Sequence, residues 1–282
     1  MSVLRRLRGD KEHRTKHMDV GNYINHQRTL VFSSRGIVHK DRHLMTDLRD
    51  LLPHSRAETK LDTKDDFREV AEIAEMKNCN NVIFFEARKH KDLYLWLGRC
   101  PAGPTAKFLV TGIHTMSEIK LTGNCLKGSR PLLQFDASFD ETHHGILLKE
   151  MLQQSFGAPK GHPKIKPFVD HIFTFFYING RIYFRNYQIS YDANDNTQDE
   201  GEPLLVEVGP RFELTPIKVF NGSFSGNILW ENNQYVSPNA IRAIFKKQSK
   251  QNYVVRHEQK RKRQEYQEEH QHPTDELVNI FK

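Results

Sequence analysis

The chain has 282 residues, 37% of them hydrophobic, which is sufficient for one large domain or two small ones with a buried core. Its formal net charge of +7 is only a weak indication of a polyanionic partner, and no apolar run approaches the roughly 20 residues of a membrane helix or forms a secretory signal. Cys79, Cys100 and Cys125 are too widely spaced for a zinc motif or a disulfide framework, which favours a reducing compartment.

The first part of the chain predicts a strand, two helices, a hairpin and a further strand. Residues 1–28 are basic and polar without periodicity, and we interpret them as a mobile tail. Asp41 can cap the first helix, which Pro53 ends, and a second helix opens at Thr63 with Asp66 in an imperfect capping box. The elements are strand 29–34, a helix with Leu44, Met45, Leu48, Leu51 and Leu52 on one face, a helix with Phe67, Val70, Ala71 and Ala74 on one face, strand 82–85, the basic turn 88–92, and strands 93–97 and 107–111.

The second part of the chain predicts a similar order of elements. Asp140 can cap a helix, and Asn179-Gly180 is a strong hairpin signal because a type I′ turn needs positive φ at both positions. An acidic, polar loop follows over 192–202. The elements are strand 132–135, a helix carrying Leu147, Leu148, Met151, Leu152 and Phe156, strands 171–177 and 181–189, and strand 204–208, whose apolar and β-branched residues predict a buried strand.

A glycine-proline pair with a cation close behind it occurs once in each part of the chain. Gly103-Pro104 precedes Lys107, and Gly209-Pro210 precedes Arg211. Glycine accepts unusual backbone angles and proline donates no hydrogen bond, so each pair interrupts a strand and places a cation beside a rigid element. We assign a structural motif to Gly103, Pro104, Glu207, Gly209, Pro210 and Phe212.

This repeat predicts an α/β fold made of two copies of one small unit, related by a pseudo-two-fold axis. The first half would span residues 29–128 and the second half 129–236, although two unrelated α/β stretches remain the alternative. Residues 237–282 then form a basic helix and tail, with Ser237 as N-cap and Pro238 at the first helical position. Nine basic residues face one acid between positions 242 and 263, which favours polyanion contact over a merely solvated face.

The motifs of the chain resemble the Brix-domain family of ribosome-assembly factors, over roughly residues 28–245. The Glu207–Phe212 region corresponds to what is often termed the sigma-factor-like motif of that family. The segments that carry the resemblance are 34–37, 41–45, 52–55, 75–80, 103–108, 121–131 and 207–212.

The resemblance implies a non-enzymatic factor that assembles the large (60S) ribosomal subunit in the nucleus and nucleolus. Members of this kind bind pre-rRNA and other pre-60S assembly factors during early maturation and rRNA processing. The implied fold is a Brix domain of two α/β halves, each like an anticodon-binding domain, with a C-terminal helix. The long charged extensions common in the family are short here, so the resemblance does not extend to any function carried by them.

The residues themselves predict no catalytic, metal or cofactor site and no small-molecule substrate. His143 and His144 are adjacent on a predicted helix and therefore point about 100° apart, which makes a poor metal pair. The cysteines have no close histidine or aspartate in sequence. The glycine-containing segment 123–129 lacks the glycine spacing of a phosphate-binding loop.

Several features predict contact with RNA, which cations bind through phosphates and aromatic rings bind through bases. Arg181, Tyr183, Arg185 and Tyr187 alternate along one strand and should share a face, although an ordinary solvated sheet face is the alternative. Arg211 either touches phosphate or clamps a backbone carbonyl, and Phe212 is expected in the core. The expected RNA-binding residues are Arg181, Tyr183, Arg185, Lys127, Arg130, Arg211, Lys107, Arg88, Lys89, Lys246, Lys247 and Lys250.

Three functions are compatible with this pattern. The preferred hypothesis is an assembly factor that binds rRNA. The second is a scaffold that holds other assembly factors and touches RNA only incidentally. A DNA-binding transcription factor is disfavoured, because no helix-turn-helix pair is evident in the sequence.

Overall fold

One eleven-stranded mixed sheet organises the fold of the chain, as a computed structural model shows. The structure describes residues 27–62, 67–119, 123–159, 162, 164–166, 168–190 and 203–270. The basic tail, the capping box at Thr63 and Asp66, and the acidic loop 192–202 lie outside these residues. The chain divides into two compact units, one ending at Asn233 and the other beginning at Gln234.

The first unit contains eleven described strands and four described helices. Up to the linker at residue 123 its elements are β1 (Thr29–Ser33), α1 (His39–Leu51), β2 (Ser55–Ala57), α2 (Arg68–Met76), β3 (Asn81–Arg88), β4 (Asp92–Arg99), β5 (Thr105–His114) and α3 (Met116–Ile119). After the linker they are β6 (Leu132–Phe135), a 3₁₀ turn (Ala137–Phe139), α4 (His143–Phe156), β7 (His171–Ile178), β8 (Arg181–Ser190), β9 (Leu204–Glu207), β10 (Arg211–Phe220) and β11 (Ile228–Glu231).

The strand order repeats about the centre of the sheet, and it reads β2-β1-β3-β4-β5-β10-β8-β7-β6. β1 pairs with β3 in parallel and β3, β4 and β5 follow antiparallel, while β6 pairs with β7 in parallel and β7, β8 and β10 follow antiparallel. β5 and β10 meet antiparallel at the centre, with Leu214 opposite Val110. β2, β9 and β11 add to this common plan beside β1, β8 and β10. The predicted α/β fold is confirmed, and each half contributes four corresponding strands.

The two faces of the sheet are covered differently. We call the face on which α1 and α4 pack the inner face, and the opposite one the outer face. The inner cluster joins both halves, because it includes Leu48 of α1, Phe85 of β3, Leu152 of α4 and Phe184 of β8, each almost fully buried. On the outer face of the first half, α2 packs Val70 and Ala74 against a second cluster that contains Phe32, Phe84 and Trp96.

The two halves are joined through the C-terminal end of α4. The Ser155 carbonyl accepts hydrogen bonds from Thr29 Oγ1 at 3.2 Å and from His54 Nε2 at 3.1 Å, and Asn81 Nδ2 donates to the Gln154 carbonyl at 2.9 Å. The last carbonyls of a helix have no partner within it, so these three side chains of the first half satisfy groups that burial would otherwise leave unpaired. His54 is 2% exposed, and burial lowers its pKa from 6.5 to about 4.

Several boundaries differ from the sequence expectation. α1 begins at His39, so Asp41 lies in its first turn instead of capping it. Thr142 caps α4 by accepting from the Gly145 backbone N–H, whereas Asp140 ends the preceding 3₁₀ turn and pairs with Lys149. Asp140 and Thr142 could not be ranked as caps by residue type alone, because aspartate and threonine are both favoured N-caps.

The strand 204–208 was expected to be buried, and this expectation is wrong for its first residues, although Val208 is 6% exposed. Leu204 is 53% exposed and Leu205 is 46% exposed. The reason is that β9 pairs only with β8 among the described strands and lies off the main strand order. The hairpin at Asn179-Gly180 is confirmed, with positive φ of 51° and 72°.

The second compact unit contains one helix, α5 (Pro238–Glu269), within the described residues. It begins as predicted, since Ser237 Oγ accepts from the Ala240 backbone N–H at 3.3 Å. Every side chain along α5 is exposed or partly exposed, including Ile244 at 55% and Phe245 at 62%. Of the described helices in both units, none has the length and apolar composition required to cross a membrane.

Candidate nucleic-acid interface

The outer face of β8 presents a stripe of alternating arginines and tyrosines. Arg181 is exposed, and Tyr183, Arg185 and Tyr187 are half-buried, whereas Ile182, Phe184 and Asn186 between them are buried, the first two in the inner cluster. The predicted shared face is therefore confirmed. Neither described apolar cluster includes an outer-face residue of β7 or β8, so this part of the sheet lacks the cover that α2 gives the first half.

Two glutamates accompany the arginines of this stripe. Glu213 of β10 lies 3.5 Å from Arg181, and its other contact is a 3.3 Å hydrogen bond from Thr111 Oγ1. Glu207 at the end of β9 lies 3.8 Å from Arg185 and 3.7 Å from Arg211. Arg185 and Arg211 are thus brought together around one carboxylate. In the described structure the Arg211 guanidinium contacts this glutamate, and the Arg211 side chain is 35% exposed.

The turn that carries Arg211 is fixed from inside the fold. Asn186, a fully buried residue of β8, donates from Nδ2 to the Gly209 carbonyl at 2.7 Å and accepts from the Val208 backbone N–H at 3.0 Å. Gly209 has φ of +84°, a conformation that glycine adopts without cost. Asn186 was not anticipated from the sequence. The sequence feature that could have identified it is an amide side chain at an inward-facing position of a strand, where a polar group needs hydrogen-bond partners.

Phe212 belongs to the core, as expected. Its ring is 2% exposed and stacks on Phe184, with a centroid separation of 4.6 Å and an interplanar angle of 18°. Because Phe212 points inward, its neighbours Arg211 and Glu213 point to the outer face. Burial of Phe212 in the core thereby fixes the face of the sheet on which Arg211 and Glu213 lie.

The first glycine-proline pair places its cation in a different environment. Lys107 is 13% exposed, and its ammonium lies 3.1 Å from Glu86, 4.3 Å from the Trp96 ring centroid and 4.8 Å from that of Tyr94. Trp96 Nε1 also donates to Glu86 at 2.7 Å. Burial would raise the pKa of Glu86, but Lys107, Trp96 and Arg88 outweigh it and hold that pKa below its usual value. Lys107 is therefore part of the packed outer cluster, and we leave it out of the proposed interface.

Gly103 is required for close packing of this first pair. A Cβ at Gly103 would lie 2.4 Å from the Asn221 carbonyl oxygen, and the residue has φ of +89°. The other predicted cations of this region lie at the tip of the β3–β4 hairpin. Arg88 pairs with Glu86 and lies 5.3 Å from the Tyr94 ring centroid, and Lys89 adopts positive φ of 52° within the turn.

The linker between the halves holds Lys127 and Arg130 at other places. Lys127 Nζ lies 2.8 Å from Asp50 of α1, the helix that packs on the inner face. The Arg130 backbone N–H donates to the Phe168 carbonyl at 3.0 Å, and its side chain lines a surface cleft of about 420 Å³ beside the C-terminal end of α4. Arg185 and Arg211 thus share Glu207, and Arg181 lies on the same strand face, whereas Lys127 pairs with α1 and Arg130 lies beside α4.

The remaining linker contacts include two buried residues, Ser129 and His171, and the partly exposed Asp170. Ser129 Oγ lies 3.1 Å from His171 Nδ1, and Asp170 Oδ1 lies 2.6 Å from the same nitrogen. A catalytic triad would use both ring nitrogens, with the serine on Nε2. Here the Ser129 hydroxyl donates to the Leu126 carbonyl at 2.7 Å, and Asp170 Oδ2 accepts from the Leu126 backbone N–H. These groups fasten the linker to the start of β7.

His144 and the three cysteines, which were considered from the sequence as chemical sites, are held in the packed structure. His144 stacks on Trp230, with ring centroids 4.4 Å apart, and its Nε2 lies 3.2 Å from the Tyr177 hydroxyl. Burial raises the pKa of Cys79, Cys100 and Cys125, the last to about 11, so these thiols stay protonated at neutral pH. Within the described part of the chain, no three histidine, cysteine or acidic side chains are grouped to hold a metal ion. Lys246, Lys247 and Lys250 are exposed on α5, in the second unit.

A family model for the Brix domain matches residues 34–218, which include both glycine-proline motifs and the arginine stripe. The chain belongs to the Brix domain family. The match covers α1 to most of β10, so the sheet that carries the candidate interface is the Brix domain itself.

Relatives with assigned names are similar over most of this chain. The "Ribosome biogenesis protein BRX1 homolog" of Homo sapiens and that of Bos taurus are each 55% identical over 226 residues, which cover 80% of this chain and 62% of the relative. The chain thus spans less than two thirds of the length of these two proteins. "Ribosome biogenesis protein BRX1" of Saccharomyces cerevisiae is 50% identical over 254 residues, covering 88% of this chain and 87% of the yeast protein.

Among solved structures, a probable ribosomal biogenesis protein from Aeropyrum pernix K1 is similar to this chain at 15% sequence identity and a TM-score of 0.45. The similarity covers 67% of this chain and 95% of the archaeal one.

Proposed function

We propose that this chain is a ribosome assembly factor that acts without catalysis on the large (60S) subunit, in the nucleus and nucleolus. In this proposal it binds pre-rRNA and partner assembly factors during early maturation and rRNA processing. Membership of the Brix domain family and the names of its relatives support a role in ribosome biogenesis. The subunit, the RNA and the compartment are our extension of that support.

The observation that carries the RNA part is the outer face of the second half, which neither described apolar cluster covers. Arg181, Arg185 and Arg211 lie there beside Tyr183, exposed or half-buried on two paired strands. Guanidinium groups bind phosphate in a bidentate manner, and tyrosine rings stack on unpaired bases. The proposed interface therefore consists of Arg181, Tyr183, Arg185 and Arg211. Arg88 and Lys89 at the hairpin tip, Lys127 and Arg130 on the linker, and Lys246, Lys247 and Lys250 of the second unit remain separate candidates for RNA contact.

A scaffold that binds mainly protein is the second candidate, and a specific observation favours it. Leu204 and Leu205 of β9 are 53% and 46% exposed. Exposed apolar side chains on a strand at the border of the sheet are typical of protein contacts. The glutamates near the arginines also reduce the net charge that RNA would meet.

A salt titration of RNA affinity tests the two functions. Each phosphate contact that is lost reduces the slope of log K against log salt by roughly 0.7–0.9. We expect the double variant Arg181→Ala with Arg185→Ala to flatten the slope by about 1–2 units. It should also lower the affinity for many different RNA sequences by a similar factor. The matched control removes Arg35 and Lys40, two exposed cations that pair with Asp62 and Glu118 in the first half. A slope equal to that of the control would remove β8 from the RNA site and favour the scaffold.

A further inference from the structure

Glu207 is a carboxylate shared between two arginines at distances too long for hydrogen bonds. Its oxygens lie 3.8 Å from Arg185 and 3.7 Å from Arg211, whereas charge-assisted hydrogen bonds measure about 2.7–2.9 Å. Glu207 Oε1 is buried and has no hydrogen-bond partner in the described structure. Glu207 therefore attracts the two guanidiniums electrostatically. The N–H groups that face Glu207 do not form hydrogen bonds with it.

The charge count at this place is also unbalanced. One carboxylate faces two guanidiniums, which stay protonated in proteins, so the group carries a net charge of about +1. Glu213 differs, because Arg181 is its only cation in the described structure and Thr111 supplies a hydrogen bond. The excess of positive charge is thus located at Arg185 and Arg211.

We propose that Arg185 and Arg211 form a clamp for one RNA phosphate, with Glu207 as a built-in competitor for the same two side chains. The proposal rests on the proposed function, since it assumes that RNA binds the outer face. Both guanidiniums contact one carboxylate, so they are within reach of a single anion of similar size. A phosphate offers the short bidentate hydrogen bonds that Glu207 does not make.

Glu207 has two opposing effects in this arrangement. It keeps two long side chains near each other before RNA arrives, which reduces the conformational entropy that binding would cost. It also repels the incoming phosphate, because like charges a few ångströms apart disfavour each other. Since the ion pairs are long and partly solvated, the repulsion outweighs the positioning. Glu207 therefore weakens RNA binding and makes the interface selective for ligands that offer strong, well-placed phosphate contacts.

Glu207→Gln tests the competition, because glutamine keeps the shape of the side chain and removes its charge. We expect it to bind a 20-nucleotide oligouridylate about three- to tenfold more tightly at low salt, which corresponds to one unit charge removed near the phosphate. The salt slope should steepen by roughly 0.7, as one further contact forms fully. The matched control is Glu231→Gln, which removes a charge of the same sign from an exposed pair with Lys218. It should change affinity less than twofold.

Arg185→Gln, Arg211→Gln and the double variant test the clamp without relying on Glu207. If one phosphate needs both arginines, each single variant should lose most of the affinity that the double variant loses. Additive losses would overturn the clamp, because they indicate two independent contacts. Melting curves of all variants show that affinities are compared between folded proteins.

The outcomes separate this inference from the function on which it rests. Absence of RNA binding by the wild-type protein contradicts both. RNA binding with equal affinities for Glu207→Gln and Glu231→Gln contradicts the competitor alone. If Glu207→Gln increases the affinity for polyglutamate as much as the affinity for oligouridylate, the clamp would be assigned to an acidic protein. That result would overturn RNA phosphate as its ligand.

Discussion

Different side chains lie over the outer face of the sheet in the two halves of the Brix domain. In the first half, α2 and the aromatic rings of Phe67 and Trp96 cover it, with ring centroids 4.7 Å apart. In the second half, arginines and tyrosines of β8 occupy the corresponding surface, and neither described apolar cluster reaches them. Two halves that share a strand order therefore differ in the layer above the sheet. The difference separates a face that the first half packs with apolar side chains from one that the second half lines with charged and aromatic ones.

The cation after each glycine-proline pair shows what this difference does to a side chain. Lys107 is 13% exposed and enclosed by Glu86 and two rings, whereas Arg211 is 35% exposed and pairs loosely with Glu207. The local sequence motif is the same in kind. The covering layer decides whether the cation is structural, and that layer comes from residues distant in sequence.

Lys107→Ala should have the largest effect on stability. It leaves the Glu86 carboxylate buried, with only Trp96 and Arg88 as partners, and breaking a buried ion pair costs about 3–5 kcal/mol. We expect the free energy of unfolding to fall by roughly 3 kcal/mol, at the lower end of that range because two partners remain. Arg211→Ala should cost about 1 kcal/mol or less, since its pair is partly solvated. Urea unfolding followed by tryptophan fluorescence measures both.

A double variant distinguishes charge from packing in this experiment. Lys107→Met with Glu86→Gln removes both charges and keeps much of the volume, and it should regain a large part of the stability that Lys107→Ala loses. Equal losses for Lys107→Ala and Arg211→Ala would contradict the comparison, because the covering layer would then make no difference to the role of the cation.

Much of the fold follows from local patterns. The alternation on β8 and the turn at Asn179-Gly180 depend only on neighbouring residues, because side-chain direction in a strand and φ in a tight turn are local properties. The repeated element order likewise predicts the α/β fold, and the structure shows the same four-strand plan on each side of the β5–β10 pair.

The environment of each cation could not be predicted in this way. The partner of Lys107 is Glu86, 21 residues away, and the two meet because the register of β3, β4 and β5 brings them to one face. The same limit explains β9, since composition does not reveal whether a strand lies at the centre or at the border of a sheet. Site residues were therefore chosen by type and position. Arg181, Arg185 and Arg211 came together on the outer face of the second half, whereas Arg88 and Lys107 met around Glu86 in the packed first half.

The joint between the halves should make stability depend on pH. His54 is neutral in the fold, where burial lowers its pKa to about 4, and it titrates near 6.5 in the unfolded chain. The stabilising contribution of the neutral state is complete above pH 6.5 and falls as the pH drops from 6.5 toward 4, because the unfolded state binds the proton first. This lowering of the pKa corresponds to roughly 3 kcal/mol at most. Chemical unfolding at several pH values measures it.

His54→Gln is the control for this dependence. Its amide can donate to the Ser155 carbonyl but does not titrate, so stability should vary less between pH 6.5 and 4 than in the wild type. Burial also lowers the pKa of His144 and His162, so the variant should retain a smaller dependence of the same sign. Identical pH profiles for the two proteins would show that His54 protonates without disturbing the joint.

Lys127→Ala should have the smallest effect, and it sharpens the boundary of the binding face. Lys127 pairs with Asp50, and the two side chains are 79% and 49% exposed, so the melting temperature should stay unchanged. Because Asp50 belongs to α1 on the inner side of the sheet, the lysine is separated from the arginines of β8, and the salt slope for RNA should change less than in Arg185→Ala. A slope reduced as much as in Arg185→Ala would instead extend the RNA site around the edge of the sheet along the linker. In that case the outer face alone would not define the interface, and RNA would contact both faces of the second half.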